Sequence, residues 1–253
     1  MTDELRVESL TVRRGDLTIC RDVDLVVPRG EITVLLGPNG AGRSTLLDGI
    51  AGVLPSASGT ISLGGRRIDA LPIHRRAAAG LAYVEQGRSV FSRLTVTQNL
   101  VVADRSRRTL DRAFDLFPRL ALRRDVRAGL LSGGEQQMLV VARALATRPT
   151  ILMVDELSLG LAPQAVRTLV DALVELAGSG MGILLVEQFV EIALGVGSVA
   201  HVMHRGRIVR TESCSALREE RSSVLSPYYL GDGGAGHPGA TEPDVRGEDP
   251  TTT

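Results

Sequence analysis

The 253-residue sequence contains no lysine; its 29 Lys/Arg positions are all arginine. Lysine is ordinarily among the commonest residues, so its absence from a chain this long needs a cause. Arginine-favouring codon usage is one. Escape from lysine-directed tagging is a second. A third is a cell that makes an amine-reactive compound such as an aldehyde, with this protein tied to its export or uptake. The sequence leaves all three open.

Tryptophan is also absent, and aromatic residues make up only 3% of the chain, which argues against a base-stacking platform for nucleic acid. The net charge of +0 gives no broad basic surface, so no nucleic-acid partner is expected. The two cysteines, Cys20 and Cys214, are far apart and sit in no metal-ligand spacing; a reduced, cytosolic compartment is the expectation. The acidic start Met1-Thr2-Asp3-Glu4-Leu5 lacks the apolar segment of a signal peptide. No apolar run approaches the length of a membrane span, so any membrane role is expected to come through a partner. His74, His201, His204 and His237 are expected in structural or solvated positions.

What is present is an alternation of strand and helix signals. Leu5–Val12 and Leu17–Val27 read as strands around Arg14-Gly15-Asp16, and Glu31–Leu36, Gly59–Leu63, Gly80–Val84, Thr150–Asp155 and Gly182–Val186 as short apolar strands. Arg43–Ile50, Gly133–Ala146, Pro163–Leu176 and Glu187–Leu194 read as helices, the third with Pro at its start. From Thr97 to Arg148 the text is helical, with Leu110, Ala113, Phe114 and Phe117 at helical spacing. Val199–Met203 and Arg207–Arg210 flank a His204-Arg205-Gly206 turn, and Ser213–Arg221 opens on an N-cap serine. The expectation is an α/β fold: a mostly parallel sheet, an N-terminal antiparallel β region, and an inserted helical subdomain at about residues 85–149. After Leu230 the composition collapses to Gly, Pro, Thr and acids; the domain is expected to span 1–230, with Gly231–Thr253 a disordered tail.

Gly37-Pro38-Asn39-Gly40-Ala41-Gly42-Arg43-Ser44-Thr45 lies between the Glu31–Leu36 strand and the Arg43–Ile50 helix. This is the spacing of a phosphate-binding P-loop, and strand, loop and helix are in the right order. The glycines let backbone N–H groups close around phosphates, and the helix N-terminus adds positive potential. One position departs: Arg43 stands where the pattern has lysine. Arginine keeps the charge but replaces a compact ammonium with a wide planar fork. Binding is therefore expected to weaken and hydrolysis to slow, since misplacement by about 1 Å can cost roughly 10²-fold in rate.

Two further motifs follow in order: Leu131-Ser132-Gly133-Gly134-Glu135-Gln136-Gln137, and the strand end Asp155-Glu156. The three together resemble the nucleotide-binding domain of an ABC transporter, from Leu5 to about Leu230, with the P-loop NTPase core as its fold. Val90-Phe91-Ser92-Arg93-Leu94-Thr95-Val96, Phe117-Pro118-Arg119-Leu120, Ala128 to Leu139, Ser158-Leu159-Gly160-Leu161-Ala162-Pro163 and Val186-Glu187-Gln188 resemble one branch, the second ATPase subunit of branched-chain amino-acid importers.

The resemblance implies ATP and Mg²⁺ as the bound cofactors. It places ATP between two domains, with the P-loop of one facing Ser132, Gly133 and Gly134 of the other. It gives Ser44 and Asp155 to Mg²⁺, and gives Gln86 to sensing that metal and coupling to the membrane subunits. It makes Glu156 the group that polarises the attacking water. Gln188 stands where most relatives have His; an amide can hydrogen-bond a phosphate but cannot shuttle a proton near neutral pH. Arg14 stands near a position usually aromatic, where its guanidinium either stacks on adenine or is a solvated turn residue. Leu157 replaces the usual Pro after the acidic pair. The implied partners are a second nucleotide-binding subunit, identical or not, and transmembrane permease subunits that hold the chain at the inner face of the cell membrane. Against an active ATPase stands a binding-only regulatory subunit, favoured by Arg43 and Arg14. A soluble ABC ATPase of DNA repair or translation fits the balanced charge and importer-like motifs less well.

Overall fold

In the computed structural model, which describes residues 4–219, strand β1 (Leu5–Arg14) pairs with β2 (Leu17–Val27), and β3 (Ile32–Leu36) leads into helix α1 (Arg43–Ala51). Then come β4 (Ser56–Leu63), β5 (Arg66–Arg67), α2 (Ile73–Ala78) and β6 (Leu81–Val84). A helical stretch follows, with α3 (Val96–Ala103), α4 (Arg107–Leu116), α5 (Pro118–Leu122) and α6 (Gly133–Leu145). The chain returns to the sheet through β7 (Ile151–Asp155), α7 (Pro163–Gly178), β8 (Gly182–Val186) and α8 (Val190–Val196). It continues through β9 (Val199–His204), β10 (Arg207–Ser213) and α9 (Cys214–Glu219). The tail Gly231–Thr253 and the end of the Ser213–Arg221 segment lie outside the described residues.

The strands form two sheets. One is antiparallel, ordered β2-β1-β4-β5. The other runs β10-β9-β3-β8-β7-β6, parallel except for the β9–β10 hairpin at its edge. Every residue of β3, β7 and β8 is buried, as expected of parallel strands covered on both faces. Their side chains alternate between two cores. Ile32, Val34, Leu36, Leu152, Val154, Ile183 and Leu185 face the layer built by α3 to α8. Leu35, Ile151, Met153, Leu184 and Val186 face the antiparallel sheet, with Leu46, Leu47 and Ile50 of α1 filling the space between the sheets.

Local differences from the sequence reading have identifiable causes. β4 begins at Ser56 rather than Gly59, because pairing of Val12 with Ser56 and Thr11 with Ser58 draws a polar stretch into the ladder. The helical block breaks at 123–132, where a 3₁₀ turn Ala128–Leu130 intervenes. α6 then starts on a capping box in which Ser132 and Glu135 satisfy each other's backbone N–H groups. α8 begins at Val190 rather than Glu187, which is occupied as a buried side-chain acceptor. Neither β5 nor α2 has an apolar pattern that marks it in the sequence. Among the described residues no helix is long and apolar enough to cross a membrane.

Candidate functional site

The strand order β3-β8-β7-β6 brings four loops to one edge of the sheet, the C-terminal ends of neighbouring parallel strands, where open α/β sheets bind ligands. Pro38 to Thr45, Gln86, Glu156, Leu159 and Gln188 line one open cavity there, of about 460 Å³, with Ile19 at its side. A separate cavity of about 340 Å³, lined by Arg108, Arg112, Arg148 and Glu175 among others, contains none of these residues.

Gly40 and Gly42 adopt φ of 80° and 105°, a region that L side chains enter only at a cost. Gly42 is the N-cap of α1 and offers no side chain to cap it. The first N–H groups of the helix are therefore free of side-chain competition, which suits a bound anion.

Arg43 does not extend into open solvent. It is 5% exposed, and its guanidinium spans the site: Nη1 donates to the Pro38 carbonyl at 3.1 Å and Nη2 to Glu156 Oε1 at 2.9 Å. Gln86 Nε2 donates to the other Glu156 oxygen. Both oxygens of Glu156 are thus engaged, one by the first residue of α1 and the other by the loop after β6. Glu156 itself has φ of 48°, an uncommon conformation for a residue with a side chain, and one that clusters at functional sites.

Asp155, beside it, is 1% exposed, and neither carboxylate oxygen has a hydrogen-bond partner. Burial raises its pKa above the ordinary carboxylate value, with Glu156 adding to the rise. The Ser44 hydroxyl and the Arg43 guanidinium pull the other way, although Ser44 completes no hydrogen bond of normal geometry to either oxygen. A buried carboxylate without donors is costly. Next to a hydroxyl at a P-loop, its chemistry fits a hard cation that takes one carboxylate and fills its remaining positions from water and phosphate. Among the described residues no group of three or more His, Cys, Asp or Glu could hold a metal alone, so such a cation would need the substrate's oxygens.

The remaining candidate residues lie elsewhere. Arg14 is exposed at the end of β1 and does not line the cavity, where Ile19 stands instead. Ser132, Gly133 and Gly134 are at the N-terminus of α6, outside the cavity. Leu157 is fully packed, at 1% exposure. The sequence reading missed Glu187, buried directly before Gln188 and bonded to Ser158. It also missed Arg88, which donates to the carbonyls of Leu159 and Gly160. A carboxylate ending the apolar run Gly182–Val186 was the available signal for Glu187; Arg88 had none.

Residues 20–158 match the ABC transporter family. The chain is 40% identical over 219 residues to the high-affinity branched-chain amino acid transport ATP-binding protein BraG of Pseudomonas aeruginosa, covering 84% of this chain and 94% of that one. It is 37% identical over 222 residues to the probable branched-chain amino acid transport ATP-binding protein LivF of Archaeoglobus fulgidus, covering 85% and 94%. Its fold is similar to a crystal structure of a nucleotide-free ATP-binding cassette from an ABC transporter, with a TM-score of 0.81 at 25% identity over 91% of this chain and 98% of that one.

Proposed function

We propose, on the premise that this chain belongs to the ABC transporter family, that it is an ATP-hydrolysing subunit with slow turnover, serving branched-chain amino-acid transport. The observation that carries this reading is the single cavity shared by Pro38 to Thr45, Gln86, Glu156 and Gln188. The names of the two relatives support the transport class.

In this reading the backbone of Gly37 to Thr45 and the N-terminus of α1 bind the ATP phosphates. Ser44 and Asp155 hold Mg²⁺, which offsets phosphate charge during transfer. Glu156 orients and polarises the attacking water, and Gln188 hydrogen-bonds the terminal phosphate. Before that, the triphosphate must draw Arg43 away from Glu156, and Gln86 must release the other oxygen. Breaking a buried, charge-assisted contact costs more than breaking a solvated one. The need to do so, and the width of the guanidinium, are the reasons turnover is slow.

Ser132, Gly133 and Gly134 complete the site of a second nucleotide-binding subunit. Permease subunits hold the pair at the inner face of the membrane. Equilibrium binding of ATP with and without Mg²⁺, followed by turnover of the same preparation, tests the reading. Failure to bind ATP at millimolar concentration would overturn it.

A second reading is favoured by the Arg43–Glu156 contact itself: a subunit that binds ATP and dimerises but leaves turnover to its partner's site. It predicts nucleotide-dependent association with phosphate release no faster in wild type than in Glu156→Gln.

A further inference from the structure

Three loops meet at the 156–160 segment, and two residues with no role in the proposed chemistry grip it from either side. From the β8 side, Glu187 is 1% exposed; its carboxylate accepts the Ser158 N–H at 3.0 Å and the Ser158 hydroxyl at 2.7 Å. From the β6 side, Arg88 Nη2 donates to the Leu159 carbonyl at 3.3 Å and the Gly160 carbonyl at 3.2 Å. Ser158 is two residues beyond Glu156, whose backbone is in the left-handed region. Such a conformation persists only where the surroundings over-determine it.

Burial raises the Glu187 pKa even with Ser158 bonded to it. A buried carboxylate is an expensive way to fill space, since an apolar residue would pack there without desolvation. What the carboxylate adds is two directional bonds to one residue, which fix both the backbone and the side chain of Ser158. Glu187 also immediately precedes Gln188, so the same clasp sets the spacing between the Glu156 turn and the Gln188 loop.

We propose that Glu187 is a positioning residue for Glu156: its clasp on Ser158, supported by Arg88 on the next two carbonyls, holds the turn that aims the Glu156 carboxylate. The proposal rests on the reading of Glu156 as the group that polarises water.

The test compares wild type with Glu187→Ala, Glu187→Gln, Ser158→Ala and the Glu187→Ala/Ser158→Ala double variant. Turnover, KM, ATP affinity and backbone hydrogen exchange over 156–160 are measured on each full chain. For Glu187→Ala, kcat is expected to fall by about tenfold or more, given the sensitivity of catalysis to small misplacements. KM and ATP affinity should stay within about twofold, since the binding loop is untouched. Exchange at 156–160 should accelerate while α6 is unchanged. Glu187→Gln should recover most of the rate, because its amide oxygen still accepts the Ser158 N–H and its NH₂ can donate to the Ser158 hydroxyl oxygen. The double variant should be no slower than Glu187→Ala alone.

Unchanged kcat in Glu187→Ala, or multiplicative losses in the double variant, would overturn the proposal. If Glu187→Ala does not fold, Ser158→Ala decides, with a reduced kcat at unchanged KM expected and wild-type kinetics overturning. A wild-type chain no faster than Glu156→Gln removes the hydrolytic reading and this proposal with it. A normal wild-type rate that Glu187→Ala leaves intact removes this proposal alone.

Discussion

Arg43 and Glu156 are joined by a 2.9 Å ion pair in a setting where both side chains are largely buried, at 5% and 11% exposure. The pair connects the residue that departs from the phosphate-binding pattern with the proposed base. Replacing Arg43 with lysine removes the fork that reaches the Pro38 carbonyl and Glu156 together and restores a compact ammonium. Arg43→Lys is expected to raise kcat by roughly tenfold, because small displacements at the reacting centre have effects of that size or larger. Steady-state phosphate release checks this. An unchanged rate would show that Arg43 does not limit turnover.

Asp155 carries the second prediction. Its carboxylate is buried and unpartnered, and burial raises its pKa, so the ionised form is disfavoured in the metal-free fold. Asp155→Asn removes the charge while keeping the shape, and should stabilise the nucleotide-free protein in EDTA by about 1–2 kcal/mol, on the order of the extra desolvation penalty a buried charged group carries. The same variant should lose the Mg²⁺ dependence of ATP binding. Urea denaturation and ATP titrations with and without Mg²⁺ read out the two halves separately.

These two sites mark what the sequence shows and what it conceals. The loop from Gly37 to Thr45 and the strands β3, β7 and β8 are local patterns, written in glycine spacing and apolar runs. Arg43–Glu156 and Glu187–Ser158 join segments far apart in the chain. Both contacts depend on the sheet order β3-β8-β7-β6, which no local periodicity encodes. Arg14 is the converse case: proximity to an expected position in sequence did not bring it to the cavity.

Arg76 supplies a structural prediction from the same class of concealed contact. It is 3% exposed and donates to four carbonyls, those of Gly49, Ile50, Asp69 and Leu71, at 2.6–2.8 Å. Two of these carbonyls lie in the last turn of α1, where a cation also suits the helix dipole. Arg76→Leu would leave buried carbonyls without donors, and should lower stability by about 3 kcal/mol. In a chain of this size that is a drop in Tm of roughly 6–12 °C. A drop below a couple of degrees would contradict the assigned role.

His201 gives the fold a pH dependence with a defined sign. It is 6% exposed, its Nδ1 is 2.8 Å from Thr211 Oγ1, and burial lowers its pKa from 6.5 to about 4. Between those values the unfolded chain binds a proton that the folded chain refuses. Stability from this group is therefore complete above pH 6.5 and declines as pH falls towards 4, by about 3 kcal/mol in total. Asp155 and Glu187, whose pKa values burial raises, contribute with the opposite sign. Arg6, Glu8 and Asp24 line the same cleft as His201. The difference between wild type and His201→Gln in chemical denaturation at pH 7 and pH 4.5 isolates the histidine. The gap should narrow or reverse at the lower pH, and a constant gap would contradict the assignment.

Glu156 decides whether this site hydrolyses ATP or only binds it. Phosphate release from ATP by the wild-type chain and by Glu156→Gln, measured with saturating Mg²⁺ and matched folded protein, should differ by at least about 10²-fold, the lower edge of what general acid–base catalysis contributes. A wild-type rate indistinguishable from that of Glu156→Gln would contradict hydrolysis at this site.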